Sequence, residues 1–139
     1  MENKGKVTGL GGVFFTSENP KDLKKWYEEN LGLPCDEYGH LFRWKQSDDP
    51  RKDGYTQFSV FEKSTNYLQP SKKDFMINFR VDNLEAIIEN LLEKGMKVIG
   101  DIEEYEYGKF GWVMDPDGNK IELWEPVDEA FTKMNETKQ

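Results

Sequence analysis

A chain of 139 residues with 36% apolar and 14% aromatic side chains can fill one packed domain, and no apolar run approaches the length of a membrane-spanning helix. The formal charge of −8 and pI near 4.8 argue against phosphate-backbone and anionic-membrane binding, and no basic run offsets them. A single cysteine, Cys35, excludes an internal disulfide and suits a reducing compartment; with no apolar signal-peptide core in the first ten residues, a cytoplasmic protein is expected.

Met1 to Lys6 are polar and expected to be loose. Val7 to Thr16 reads as a strand carrying Gly9, Gly11 and Gly12, and glycines inside a strand mark a bulge or a close backbone approach. Asn19 is placed to cap a helix, with Pro20 in its first turn and Asp22 near its positive end. Leu23, Trp26, Tyr27 and Leu31 share one helical face; Gly32 stops the helix and Pro34 prevents its resumption. Short strands follow around Cys35 to Tyr38 and from His40 to Gln46. A charged loop, Ser47 to Gly54, then leads to a strand from Tyr55 to Phe61. The polar connector Glu62 to Asp74, with Pro70, is the natural boundary between halves.

Phe75 to Val81 reads as a strand, and Asp82-Asn83-Leu84-Glu85 as a capping box opening a second helix. Leu84, Ile87, Ile88, Leu91 and Leu92 form its apolar stripe and Gly95 ends it. Met96 to Gly100 is a predicted strand, and Asp101 to Tyr107 an acidic, tyrosine-bearing loop, either a lid or a solvated surface. Phe110 to Met114 and Lys120 to Glu125 read as two strands joined by the turn Asp115-Pro116-Asp117-Gly118. The tail 127–139 adds a short helix through Phe131.

The order strand, helix, three strands thus occurs twice, in modules 7–61 and 75–126 of one domain. The stretch DPDGNKIELWE, from Asp115 to Glu125, resembles the closing hairpin of the vicinal oxygen chelate superfamily, which includes glyoxalases, bleomycin-resistance proteins and extradiol dioxygenases. Trp26-Tyr27 also falls where that superfamily commonly has an aromatic pair in its first helix. The resemblance covers roughly Val7 to Pro126. It implies an α+β fold in which two βαβββ modules curl an eight-stranded sheet around a cleft, with the helices outside.

With helices on one face, the more apolar alternate set of each strand should point outward. That turns Val13, Phe15, Phe58, Val60, Phe75, Ile77, Phe79, Val81, Ile121 and Leu123 toward the helices. Gly12, Phe14, Thr16, Gln57, Ser59, Phe61, Met76, Asn78, Arg80, Lys120, Glu122 and Trp124 then face the cleft. His40, Phe42 and Trp44 share one face of their strand, whose phase the sequence leaves open.

In metal-using members of the superfamily, one ligand comes from each of four strands. By resemblance these positions fall on Gly12, on Gln57 or Ser59, on Met76 and on Glu122. Gly12 has no ligand atom and Met76 offers only a thioether, so neither a metal nor another cofactor is expected. His40 is a lone strand histidine and Cys35 has no neighbouring base, so neither stands out as catalytic. Glu122 is the candidate catalytic base. Arg80 is the candidate holder of an anionic group, unless the two simply pair. Asn78, Gln57, Trp44, Phe14 and Trp124 complete the candidate ligand-binding set, the aromatics offering flat walls to a ring or acyl chain.

The resemblance therefore implies a protein of the glyoxalase and bleomycin-resistance kind that binds a small, anionic aromatic or amphipathic molecule in a cleft lacking the metal. The alternatives are a metal-independent lyase or isomerase using Glu122 as base, and a partner-binding module resting on the acidic loop. A homodimer fits each reading, and neither nucleic acid nor membrane is an expected partner.

Overall fold

The computed structural model describes residues 3–130 and 132. Nine elements follow one another: β1 (Lys6–Ser17), α1 (Pro20–Leu31), β2 (His40–Lys45), β3 (Asp53–Glu62), β4 (Phe75–Asp82), α2 (Leu84–Glu93), β5 (Val98–Tyr105), β6 (Gly108–Met114) and β7 (Lys120–Pro126). The strands form one seven-stranded sheet in the order β2-β3-β1-β4-β7-β6-β5. Antiparallel pairing of β1 with β4 joins the halves, while β1–β3 and β4–β7 run parallel.

The expected eighth strand at residues 35–38 is reduced to a single bridge between Asp36 and Gly39. Pro34 lacks a backbone donor, and Gly39, at φ 113, turns the chain straight into β2. Of the stretch expected as a loop, 101–107, residues 101–105 are strand and 106–107 form the turn into β6. Gly100, at φ 68, marks an irregularity in the β5–β6 pairing between Ile99 and Glu103 rather than a strand end, and β5 continues to Tyr105. Residues 128–130 are helical; the expected helix continues to Phe131, which lies outside the described residues.

Both helices begin and end on local chemistry. Asn19 Oδ1 accepts from the Asp22 backbone N–H, and Gly32 stops α1 in the left-handed conformation. The second cap is Asn83 rather than Asp82. Asn83 takes φ 51, accepts from the Ala86 N–H and leaves Asp82 to accept from the Lys6 N–H. Helix α2 packs on β5, β6 and β7, where Leu84 and Ile88 bury against Val81 and Leu123, with Phe79, Ile121 and Val113 at the rim. Helix α1 covers β1 and β3 more thinly, through Tyr27 edge-on to Phe58, itself edge-on to Phe15. Of the outward set expected from alternation, Phe79, Val81, Ile121 and Leu123 lie beneath α2 and Phe15 and Phe58 beneath α1, whereas Phe75 is exposed. His40 lies directly across from Phe58 and shares its face, and its Nδ1 donates to the Pro34 carbonyl at 2.7 Å.

The helix-free face has its own apolar cluster: Phe14, Leu68, Met76 and Trp112, with Phe61, Ile99 and Phe110 against it. Leu68 belongs to the connector between the halves. That segment folds onto the helix-free face. The glycine run explains how β1 accommodates this. Gly11 is the extra residue in a register shift between Leu10 and Gly12, and a β-carbon there would stand 1.9 Å from Asn78 Oδ1.

Candidate functional site

The hairpin 115–126 fixes the site. Asp115 accepts from the N–H groups of Asp117 and Asn119, Gly118 takes φ 83, and β7 returns with Lys120, Glu122 and Trp124 on the helix-free face. Register then sets the neighbours. Gln57, Gly12, Asn78, Glu122 and Trp112 occupy one row across five strands. Met76 pairs with Phe14 and stands two residues off that row; the β4 residue in the row is Asn78.

Glu122 is 4% exposed and forms no ion pair among the described residues. Its carboxylate is held by three neutral donors. Asn78 Nδ2 reaches Oε1 at 2.7 Å, Trp112 Nε1 reaches Oε2 at 2.9 Å, and the Tyr67 hydroxyl donates to Oε2. Asn78 is itself buried, and its Oδ1 has no hydrogen-bond partner among the described residues. Burial pushes the Tyr67 phenol pKa well above its ordinary value, and the adjacent Glu122 charge adds to the rise. The phenol stays protonated and donating.

Lys120, two residues before Glu122 on the same face, is 7% exposed. Its ammonium lies over the Tyr67 and Trp112 rings, 5.1 and 5.9 Å from their centroids, and donates to the Tyr67 carbonyl at 2.5 Å. Desolvation lowers its pKa, with Glu122 opposing.

Arg80 belongs to a second cluster one row along β4. Its guanidinium is sandwiched between Trp44 and Trp124, at 5.1 and 5.3 Å, and makes a bidentate pair with Asp128 at 2.9 and 2.6 Å. Phe110 stacks on Trp124. A cavity of about 270 Å³ opens beside Trp44 and Arg80.

The residues expected to line one cleft therefore separate into groups. Asn78 and Glu122 touch, with Phe14 in the adjoining apolar cluster; Arg80, Trp44 and Trp124 form the second cluster. Gln57 is turned toward the β2 side, where its amide and the Ser59 hydroxyl both donate to the Tyr38 carbonyl. Burial pushes the Cys35 thiol pKa up, and Sγ faces the Leu33 carbonyl. Tyr67, Lys120, Trp112 and Asp128 are the partners missing from the expected site set. Alternation already placed Lys120 beside Glu122. The signal for Tyr67 was fainter: Tyr67-Leu68 is the one large apolar pair in an otherwise polar connector.

As a metal centre the donor set is poor. Position 12 has no side chain, and a β-carbon there would meet the Phe14 ring at 2.5 Å. The Met76 thioether is fully buried in the apolar cluster. Among the described residues no three His, Cys, Asp or Glu side chains come together.

Comparison with known proteins places this geometry in context. The glyoxalase-like domain family matches residues 12–124. No curated protein sequence matches the chain. Among solved structures, methylmalonyl-CoA epimerase from Mycobacterium tuberculosis superposes with a TM-score of 0.61 at 17% identity, covering 95% of this chain and 97% of that one. A Streptomyces coelicolor methylmalonyl-CoA epimerase variant in complex with 2-nitronate-propionyl-CoA gives 0.63 at 14% identity, covering 88% and 99%. Catechol 2,3-dioxygenase gives 0.61 at 17% identity; the match covers 91% of this chain but 42% of that longer one. At these identities the likeness is one of fold.

Proposed function

The chain belongs to the glyoxalase-like domain family, and from that premise we propose that it binds a small aromatic or amphipathic molecule on its helix-free face, around Glu122, without the metal of other superfamily members. The observation that carries this reading is a buried carboxylate held, among the described residues, by three uncharged donors, Asn78, Trp112 and Tyr67, inside an aromatic wall. A carboxyl group is costly to bury unless its hydrogen bonds are made, and here three neutral donors are held in place to make them. A carboxylate kept in such a place is a functional-site candidate. The donor set around Glu122 supports the metal-free part of the reading, since one carboxylate and one amide are too few to hold a divalent ion.

Arg80 is already engaged by Asp128, so Lys120 is the better anchor for an anionic ligand group. The test is a thermal-shift screen of aromatic acids and acyl compounds against wild type and Glu122→Gln. A ligand that raises the wild-type Tm and leaves the variant unmoved supports the reading; a ligand set that shifts neither sinks it.

A second reading, a metal-independent lyase or isomerase, draws on the direct contact between Glu122 and the Tyr67 hydroxyl, a proton acceptor beside a proton donor. Deuterium uptake from D2O into a bound ligand, abolished by Glu122→Gln with binding kept, would favour it. The partner-binding alternative rests on the same acidic residues, Asp101, Glu103 and Glu104, which are exposed on the edge strand β5. Homodimerisation is compatible with either reading and is measurable by light scattering.

A further inference from the structure

Of the three donors on Glu122, two are carried by paired strands, Asn78 on β4 and Trp112 on β6. Tyr67 is carried by the connector, residues 63–74, which enters no strand. Its internal bonds are short turns, Thr65 to Glu62, Gln69 to Asn66 and Ser71 to Leu68. Tyr67 also keeps 40% of its surface in solvent, although its hydroxyl meets a buried carboxylate. Segments held by few long-range bonds open at low free energy relative to the sheet beneath them.

Both ends of this one residue are gripped. The phenol hydroxyl donates to Glu122, the backbone carbonyl accepts from Lys120, and the ring stands edge-on to Phe61 and Trp112 at 5.9 and 6.4 Å. Glu122 and Lys120 are two residues apart on one strand face, roughly 7 Å along β7. Together they form a two-point receptor with an acceptor at one end and a cation at the other. The tyrosine skeleton spans the two points with a ring, two carbons and an acyl oxygen.

Resting on the small-molecule reading above, we propose that Tyr67 is a built-in occupant of the ligand site. The site takes a free 4-hydroxyphenyl carboxylate that displaces it, phenol on Glu122 and carboxylate on Lys120. The free ligand has one advantage over the occupant: its acyl oxygen carries charge. Among the described residues the hydrogen-bond partner of Lys120 is a neutral carbonyl, and a charge-assisted bond to a carboxylate is the stronger one. The desolvation that lowers the Lys120 pKa is offset when an anion arrives. Leu68, 4% exposed in the apolar cluster, works the other way, because lifting the connector uncovers it. The intact chain is therefore expected to bind weakly and a chain without the Tyr67 side chain better, since the Glu122 end is then empty and only the residue-67 carbonyl remains to be displaced from Lys120.

The probe is 3-(4-hydroxyphenyl)propanoate, titrated into wild type and Tyr67→Ala by calorimetry and tryptophan fluorescence. Tyr67→Ala should bind at least tenfold tighter than wild type. In that variant, 3-phenylpropanoate (no hydroxyl) and 4-ethylphenol (no carboxylate) should each bind at least fivefold weaker than the probe. Adding Lys120→Met should erase the preference for the probe over 4-ethylphenol. A folded Tyr67→Ala that binds no tighter than wild type, or that binds the three compounds alike, overturns the proposal. Should Tyr67→Ala not fold, hydrogen exchange on wild type decides. Millimolar probe must speed exchange at the Gln69 and Ser71 amides, and unchanged exchange overturns the displacement. A chain that binds some other molecule in a Glu122-dependent way with the connector closed keeps the binding function and loses this inference.

Discussion

Tyr67 and Glu122, 55 residues apart in the chain, meet hydroxyl to carboxylate, and the tyrosine is the one donor of three that no strand holds in place. Tyr67→Phe removes this bond but keeps the ring between Phe61 and Trp112. Trp112 still serves Oε2, so the expected loss is about 1–2 kcal/mol. It should appear in urea denaturation as a lower midpoint at unchanged slope.

The same pair sets an alkaline limit. The folded-state pKa of Tyr67 is raised, chiefly by burial, above the unfolded value near 10. A raised pKa means the native state holds the proton where the unfolded state has lost it. The contribution is therefore complete below about pH 10 and declines as pH climbs beyond it. Stability measured from pH 9 to 11 should fall more steeply for wild type than for Tyr67→Phe, which lacks the titrating group.

Substitutions of Glu122 should rank by the donors they strand. Glu122→Leu leaves Asn78 Nδ2 and Trp112 Nε1 buried without an acceptor, at about 2–5 kcal/mol for the pair. Glu122→Gln keeps one acceptor oxygen and should lose roughly half of that. Equal losses, or a more stable leucine variant, would show that the carboxylate does not organise its neighbours.

Arg80 and Asp128 form the other buried contact, with Arg80 packed between two indoles. Arg80→Ala removes both the charge and the sandwich filler and should cost about 3–5 kcal/mol, with a change in the fluorescence of Trp44 and Trp124. Asp128→Asn should cost less, since the amide oxygen can still accept one guanidinium bond and Asp128 is partly exposed.

Gly11→Ala tests the bulge in β1. The added carbon falls on Asn78 Oδ1, so Asn78 must swing and its bond to Glu122 lengthens or breaks. A loss of about 1–3 kcal/mol is expected. Gly32→Ala makes a useful contrast: it has open space and meets only the left-handed backbone penalty.

Alternation and punctuation made much of this architecture readable. The turn after Asp115, the Asn19 cap and the inward set Phe14, Met76, Asn78 and Glu122 follow from strand period and residue chemistry, and each stands where that logic puts it. The errors are also local in origin. Gly100 looks like a strand end because a left-handed glycine usually is one, but here it interrupts pairing that resumes at Glu103. The site was less legible, because period tells which face a side chain takes and nothing about its partner there. Arg80 and Glu122 share a face, yet Asp128 claims one and Tyr67 the other. Both partners come from segments without periodic pattern.

Because the sheet does not close on itself, β2 and β5 each leave a row of peptide groups open to a visiting chain. On β5 that row is broken by the kink at Gly100 and flanked by Asp101, Glu103 and Glu104. Like charges on identical β5 edges would oppose the pairing of two copies there. Glu103→Gln combined with Glu104→Gln would lift that repulsion, and light scattering should then show more association between copies.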